Sequence, residues 1–452
     1  MSLTLLDGVA ITLAAVAVYA IVVYLLYRAG RLGPERALQL YGPALLVKTR
    51  RFRGWLDRIG RFKRFWSVVG DVGIIAAAVA MIAIVAVLAL DAVVISHVPA
   101  SAAPPPQEAL GIPGINPIIP IGYGLVALVV GIVLHELFHG VIARSQNVGV
   151  KSVGILWCVI PVGAFVEQDE EEMTHAPRRR RDRIAAAGVL ANFVLAGLFL
   201  GATALVLTTS IAPNANGVGI SYVVPGAPAA NATLVAGDII TSINGTPTAN
   251  DAQLLNVLDA SHAGATMPLT YYSAPNHRLV TTNVTLAPLS SFTGNPADAK
   301  HGFLGISPTF LTPSQLTTVL GTPWAGPGSP LLGVTDWIVL PLAGLEPVQG
   351  TTESFYHTTG PLAGADPNSV WIVVNLLYWL AWMNLLLGLS NALPLVPFDG
   401  GLLFRDFVGG IAARARTSWD AARLERFTGR VTAAASVAVL FLLLWQFVGP
   451  RL

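Results

Sequence analysis

Val129-Val130-Gly131-Ile132-Val133-Leu134-His135-Glu136-Leu137-Phe138-His139-Gly140-Val141-Ile142-Ala143 sets three ionisable side chains inside one apolar run. On a helix, His135 and His139 lie four residues apart and share a face. Each can offer a ring nitrogen to one metal ion. Glu136, beside the first, can act as general base toward water. Gly140 thins the helix next to them. Within lipid such groups are costly, and they occur where they pair, line a cavity or serve function. A polar helix-packing cluster, a haem site or a transported-ion site would also explain them.

Working outward, the whole chain has the same character. Its 452 residues are 54% apolar and only 12% charged, where a soluble chain carries about 25% charged. Mean hydropathy is +0.64. These values exclude an ordinary soluble enzyme and a disordered chain. The net charge of +2 implies no nucleic-acid partner. Cys158 is the single cysteine, so any metal must be held by His and carboxylate. Apolar runs cover about Leu6–Tyr27, Trp66–Ile95, Ile118–Ala143, Ile184–Leu207, Trp371–Leu395 and Val431–Phe447. They predict a polytopic α-helical membrane protein with about six transmembrane helices.

Three basic stretches orient these spans by the positive-inside rule. They are residues 28–64, the run Arg178-Arg179-Arg180-Arg181-Asp182-Arg183, and Arg405 to Arg430. All three fall on the cytoplasmic side if both termini and the long 211–370 region lie outside. Leu331–Leu345, with Asp336 and nearby prolines, reads as a re-entrant or interfacial helix. The expected organisation is therefore residues 1–95, two helices with a basic loop; 118–210, the first part of a catalytic core; 211–325, an outer domain; 326–370, a linker; and 371–452, the second part of the core.

A catalytic zinc normally takes three protein ligands and one open position. Asp399 is the best third ligand. It sits in Asn391-Ala392-Leu393-Pro394-Leu395-Val396-Pro397-Phe398-Asp399-Gly400-Gly401 at the inner end of the fifth span. The prolines break the helix, and the glycines allow close approach of backbone to the site. Broken helix at membrane depth is tolerated when it is buried in protein or lines a wet cavity.

In the 211–325 region Ser, Thr, Asn, Gly and Pro are common and apolar runs shorten to strand length. Asp238–Ile243 reads as a strand entering a tight turn at Asn244-Gly245, Asp251–Leu258 as a short helix, and Met267–Tyr272 as a further strand. Gly217-Val218-Gly219-Ile220 and Leu234-Val235-Ala236-Gly237-Asp238-Ile239-Ile240 resemble a protease-associated PDZ domain. That resemblance implies an extramembrane α+β domain. It also implies a groove at Gly217, Val218, Gly219 and Ile220 that takes a chain terminus or an extended segment.

His135-Glu136-Leu137-Phe138-His139, the Asn391–Gly401 stretch and Gly188-Val189-Leu190-Ala191-Asn192 together resemble the site-2 protease family of intramembrane zinc metalloproteases, with an inserted PDZ-like domain. Val189 stands where many relatives have proline, and Phe398 where leucine is commoner. The resemblance implies one Zn²⁺ held by His135, His139 and Asp399, with Glu136 as the catalytic base and no other cofactor. Asn192 would donate to the oxyanion or the substrate backbone, or else form an interhelical hydrogen bond. In the family, the stretch equivalent to Val153–Val166 is a membrane-inserted β-hairpin or loop near the active site. Val153, Gly154, Ile155, Gly163, Ala164 and Phe165 are therefore candidates for pairing with a substrate strand.

The expected partners are single-span membrane proteins in the bilayer, already shortened by another protease, as in regulated intramembrane proteolysis. The protein is expected in the cell membrane, with its active site toward the cytoplasmic half and the PDZ-like domain extracytoplasmic. Two readings from other classes are a non-catalytic metal-binding scaffold and a metal transporter. The first would favour loss of Glu136 or a ligand. The second would favour further ionisable groups through the other spans.

Overall fold

The computed structural model describes residues 5–451 apart from 34–35, 104, 110, 310, 326–328 and 342–349. Five helices are long and apolar enough to cross a membrane: Lys63–Ile95, Ile121–Ser145, Arg178–Ser210, Pro367–Asn391 and Ala421–Arg451. Leu5–Arg28 is a further helix of 24 residues, apolar over Val16–Arg28. In chain order α1 is Leu5–Arg28, α2 Arg53–Gly60, α3 Lys63–Ile95, α4 Ile121–Ser145, α5 Glu170–His175 and α6 Arg178–Ser210. Within the expected Leu331–Leu345 segment, helix spans Pro330–Val339. Ten residues rise about 15 Å, half of a hydrocarbon core of about 30 Å. Residues 342–345 lie outside the described residues.

The chain divides into two compact units, Met1–Ala196 with Trp382–Leu452, and Gly197–Ala381. In the first, α3 turns its small residues Gly70, Gly73, Ala77 and Ala80 inward. A Cβ at Gly73 would press on the Ala186 carbonyl of α6 at 3.3 Å, so the missing side chain lets the two helices approach closely. Asp71 of α3 accepts paired hydrogen bonds from Arg179 and from Arg183 at 2.8–3.1 Å. One carboxylate thus satisfies two guanidinium forks, and Asp71 is tied up as a structural clamp.

Four strands form one antiparallel sheet in the order β1 (Leu38–Tyr41), β2 (Ala44–Thr49), β3 (Val150–Cys158) and β4 (Ile160–Gln168). The β3–β4 hairpin turns at Val159, whose φ is 62°. This arrangement corrects half of the expected pairing surface. Ile155, Gly154 and Val153 are already paired to Val47, Lys48 and Thr49 on one side and to β4 on the other. Gly163, Ala164 and Phe165 lie on β4, an edge strand among the described residues. The basic stretch that supplies β2 read only as a loop in the sequence.

In the second unit the sheet runs in the order Arg278–Thr285, Thr266–Ser273, Ile239–Ile243, Val218–Val223, Ile306–Pro308, and Thr246–Pro247 also pairs with Ile239–Ile243. Its core gathers Val218, Ile220, Leu234, Ile240, Ile243, Leu254, Leu269 and Tyr271. Asn244 and Gly245 take φ of 49° and 74°, the consecutive left-handed residues of a two-residue hairpin turn. Asp238 accepts from the Val235 and Ala274 amides at 2.9 and 2.8 Å, which fixes the turn before its strand. Burial pushes the Asp238 carboxyl pKa up against these two bonds.

The expected groove at Gly217, Val218, Gly219 and Ile220 is not open. Val218 and Gly219 pair with Ile240 and Ile239. On the other side Ile220 pairs with Pro308, and the Thr309 amide donates to the Gly219 carbonyl at 2.8 Å. Both edges of this strand are used by the chain itself.

Candidate metal centre

Helix α4 presents His135 and His139 one turn apart, and both side chains are buried. After Asn391 the preceding helix ends, and Asp399 becomes the first residue of the Asp399–Ala415 helix. The two glycines that follow are required by packing. A Cβ at Gly400 would run into the Ala392 and Leu393 carbonyls, and one at Gly401 would meet the Leu395 backbone at 2.8 Å. The loop therefore folds tightly back on the new helix and delivers the carboxylate to the histidines.

Three donor atoms converge. His135 Nε2 and His139 Nε2 are 3.1 Å apart. Asp399 Oδ2 lies 3.2 Å from each. Among the described residues this is the one cluster of three such groups that could hold a metal ion. The Nδ1–H of His139 donates to the Ile184 carbonyl at 2.7 Å, which leaves an Nε2 lone pair facing the cluster. Asp399 Oδ2 is buried and accepts no hydrogen bond. Lone pairs facing one another in a buried site are unfavourable unless a cation sits among them. A triangle with edges near 3.2 Å is one face of a tetrahedron whose centre lies about 2.0 Å from each corner, the Zn–N distance being about 2.0–2.1 Å. The donor set and its spacing fit a zinc ion.

Helix α6 lays a stripe of backbone and side chain along this cluster at intervals of four residues. Ile184 supplies the carbonyl for His139. Gly188 supplies room, because a Cβ there would collide with the metal-facing edges of both rings. Asn192 is fully buried, with its amide 3.1 Å from His135 Nδ1. His135 with its Nε2 toward a metal carries its proton on Nδ1, so the contacting Asn192 atom must be the acceptor Oδ1.

The Val166 amide of β4 donates to Glu136 Oε2 at 3.1 Å. In an antiparallel edge strand, amides two residues apart face the same side. The Ala164 amide thus points to the same open edge as that of Val166. Behind it Glu167 is held by Lys48 at 3.1 Å and by the Ser152 hydroxyl at 2.5 Å. Burial raises the Glu167 carboxyl pKa, but these two partners outweigh it and hold the group below its ordinary range.

A model of peptidase family M50 matches residues 123–435, from the start of α4 into the last helix. The chain belongs to peptidase family M50. This is the site-2 protease family of membrane metalloproteases, and its several apolar helices mark this member as membrane-embedded. An uncharacterized protein of Methanocaldococcus jannaschii is 31% identical over 163 residues, covering 35% of this chain and 42% of that protein. The match thus spans less than half of the relative's length. The PDZ domain of the SdrC-like protein from Listeria monocytogenes is similar at 21% identity, with a TM-score of 0.18, over 21% of this chain and 90% of that structure.

His135, His139 and Asp399, expected from the sequence, come together in the structure, with Glu136 beside them on α4. Of the two roles expected for Asn192, a donor to substrate or an interhelical hydrogen bond, the side chain makes the second, from α6 to His135 of α4. Asn391 is turned back on its own helix and donates to the Leu387 carbonyl at 3.0 Å. The Ile184 carbonyl and Val166 amide went unseen, since backbone groups leave no residue-type signal. The four-residue spacing of Gly188 and Asn192 was available, and it places both on the face that meets the histidines.

Proposed function

We propose that this M50 peptidase hydrolyses peptide bonds of membrane-spanning substrates at one zinc ion held by His135, His139 and Asp399. The observation that carries the reading is the convergence of the three donor atoms at 3.1–3.2 Å, with Glu136 on the next helix position. When bound, zinc would supply Lewis-acid chemistry, polarising the scissile carbonyl and making water more acidic. Glu136 takes the proton of the attacking water and passes one to the leaving amine. Its carboxylate is aimed for this by the Val166 amide. Asn192 and the Ile184 carbonyl fix the tautomer and tilt of the two imidazoles.

The open edge of β4 at Gly163, Ala164 and Phe165 supports a substrate held as an added strand. Such a strand is locally unwound, as it must be before attack, because a helical peptide bond is shielded by its own hydrogen bonds. Substrates are accordingly single membrane helices with weak segments, trimmed beforehand by another protease, in regulated intramembrane proteolysis. In this reading α1 is the sixth span, the protein sits in the cell membrane, and the basic loops and active site lie toward the cytoplasm. The 211–325 region is an extracytoplasmic, PDZ-like domain that screens what enters.

The test is cleavage of a reporter transmembrane helix by the purified chain in liposomes, beside Glu136→Gln, with bound metal quantified in both. The expected result is about one zinc in each, with cleavage at least about 10²-fold slower in the variant. A folded parent without bound metal would overturn the reading.

A further inference from the structure

Between α4 and the hairpin lies an apolar recess of about 50 Å³, lined by Val129, Ile132, Val133, Ile155, Gly163 and Ala164 among others. It begins one helical turn before the His135–Glu136 pair on α4. Ile155 and Ala164 are directly opposite across the hairpin, so their side chains share one sheet face. Ala164 is two residues from Val166, whose amide holds Glu136. A strand advances about 3.4 Å per residue, so the recess sits about 7 Å along β4 from the general base.

We infer that this recess receives one substrate side chain and sets which residues are accepted beside the scissile bond. The inference rests on the peptidase reading above and adds the chemistry of its selectivity. A strand added along the open edge of β4 places every second side chain over the face that carries Ala164 and Ile155. The side chain facing the recess then belongs to a residue within about two positions of the peptide bond next to Glu136. The occupant is a small aliphatic side chain. A water molecule's share of liquid volume is about 30 Å³, so the recess takes one or two carbon groups. An alanine methyl fits whole, a valine seats one of its methyls there, and an aromatic ring does not fit. The lining offers almost no polar surface to a charged or amide side chain, which would be buried without a partner. Ala164 turns its methyl to the recess, so a larger side chain there shrinks the space, whereas a Cβ at Gly163 would point to the other face, toward Leu156 at 3.8 Å.

The experiment uses the full chain in liposomes and a reporter helix whose cut is mapped by mass spectrometry. Each of the two residues on either side of the cut is varied through Ala, Val, Leu and Phe, and relative kcat/KM is read for the parent, Ala164→Val and Val129→Ala. At one position the parent should prefer Ala or Val over Phe by about tenfold or more, the usual discrimination per extra carbon in an apolar pocket being 10–200-fold. Ala164→Val should lower Val relative to Ala there, and Val129→Ala should raise Leu. Opposite shifts at the same substrate position, with bound metal unchanged, support the inference. If Ala164→Val loses its metal or its fold, Val129→Ala alone carries the test. Identical rankings in all three proteins, with cleavage intact, would overturn it. So would a ranking that follows only the acyl-chain length of the vesicle lipid, which would make a lipid tail the occupant. A zinc-loaded parent that cuts none of the reporters refutes the peptidase reading instead.

Discussion

Gly188→Ala should empty the metal centre without unfolding the helix that carries it. The added Cβ falls on His135 Cε1 and Nε2 and on His139 Nε2, closer than real side chains ever pack. Carbon atoms rest at about 3.5–4.0 Å, so both rings must withdraw by about 1 Å. Metal–ligand distances tolerate only about 0.2 Å, and at least one imidazole is then lost as a ligand. A four-ligand zinc site is worth about 10–16 kcal/mol, or about 3–4 kcal/mol per ligand. The predicted loss of affinity is therefore about 10²–10³-fold, at 1.4 kcal/mol per factor of ten. Alanine favours a helix over glycine by about 1 kcal/mol, so helicity should hold. The assay is competition of the purified protein against a chromophoric chelator, with circular dichroism and size-exclusion as folding controls. A Gly188→Ala protein that binds stoichiometric zinc within about threefold of the parent affinity would refute the geometry argued here.

Asn192→Leu removes the acceptor behind His135 and should weaken zinc binding about 10–100-fold, with Asn192→Asp restoring most of it. An unchanged affinity with a lower kcat would return Asn192 to a role on substrate. Ala164→Pro removes one outward amide from the β4 edge without touching the ladder to β3, as edge strands allow. It should raise KM for the reporter helix severalfold while zinc content stays at the parent value. A parent-like KM would mean that substrate does not pair there.

What was legible in the sequence follows from what sequence encodes. The spacing of His135 and His139 fixes a shared helix face, and the apolar flanks fix its surroundings. Asp399 was found because proline and glycine announce a broken helix at membrane depth. The turn at Asn244 and Gly245 was readable because left-handed backbone selects those two residue types. Partnering across long sequence distances was not readable. β2 lies in a stretch whose arginines and lysine dominated its reading, yet it pairs with β3 more than 100 residues on. The strand that closes the expected groove is Ile306–Pro308, only three residues long and ending in proline. Gly217–Ile220 therefore looked like an edge until its neighbour was seen.

The placement of Glu136 joins the two halves of this reading. In its proposed role Glu136 must be aimed, and no arginine or lysine contacts it among the hydrogen bonds and ion pairs of the described residues. Its partner is instead a backbone amide on the edge of a sheet. An amide donor orients the carboxylate without neutralising it. The same edge continues past Glu136 through Ala164, where the next outward amide is available to an incoming strand. In the proposed function one strand both holds Glu136 and offers the register for a substrate, so the distance from base to scissile bond would be set by the pleat of β4. Loop flexibility then has little part in it. At His135 and His139 the stripe of Ile184, Gly188 and Asn192 holds the two imidazoles. The groups assigned to hydrolysis in the proposed function are therefore held by α6 and β4, which contact α4 at different residues. Substitutions that shift β4 should disturb substrate register and general-base geometry together, whereas those on α6 should act through the metal.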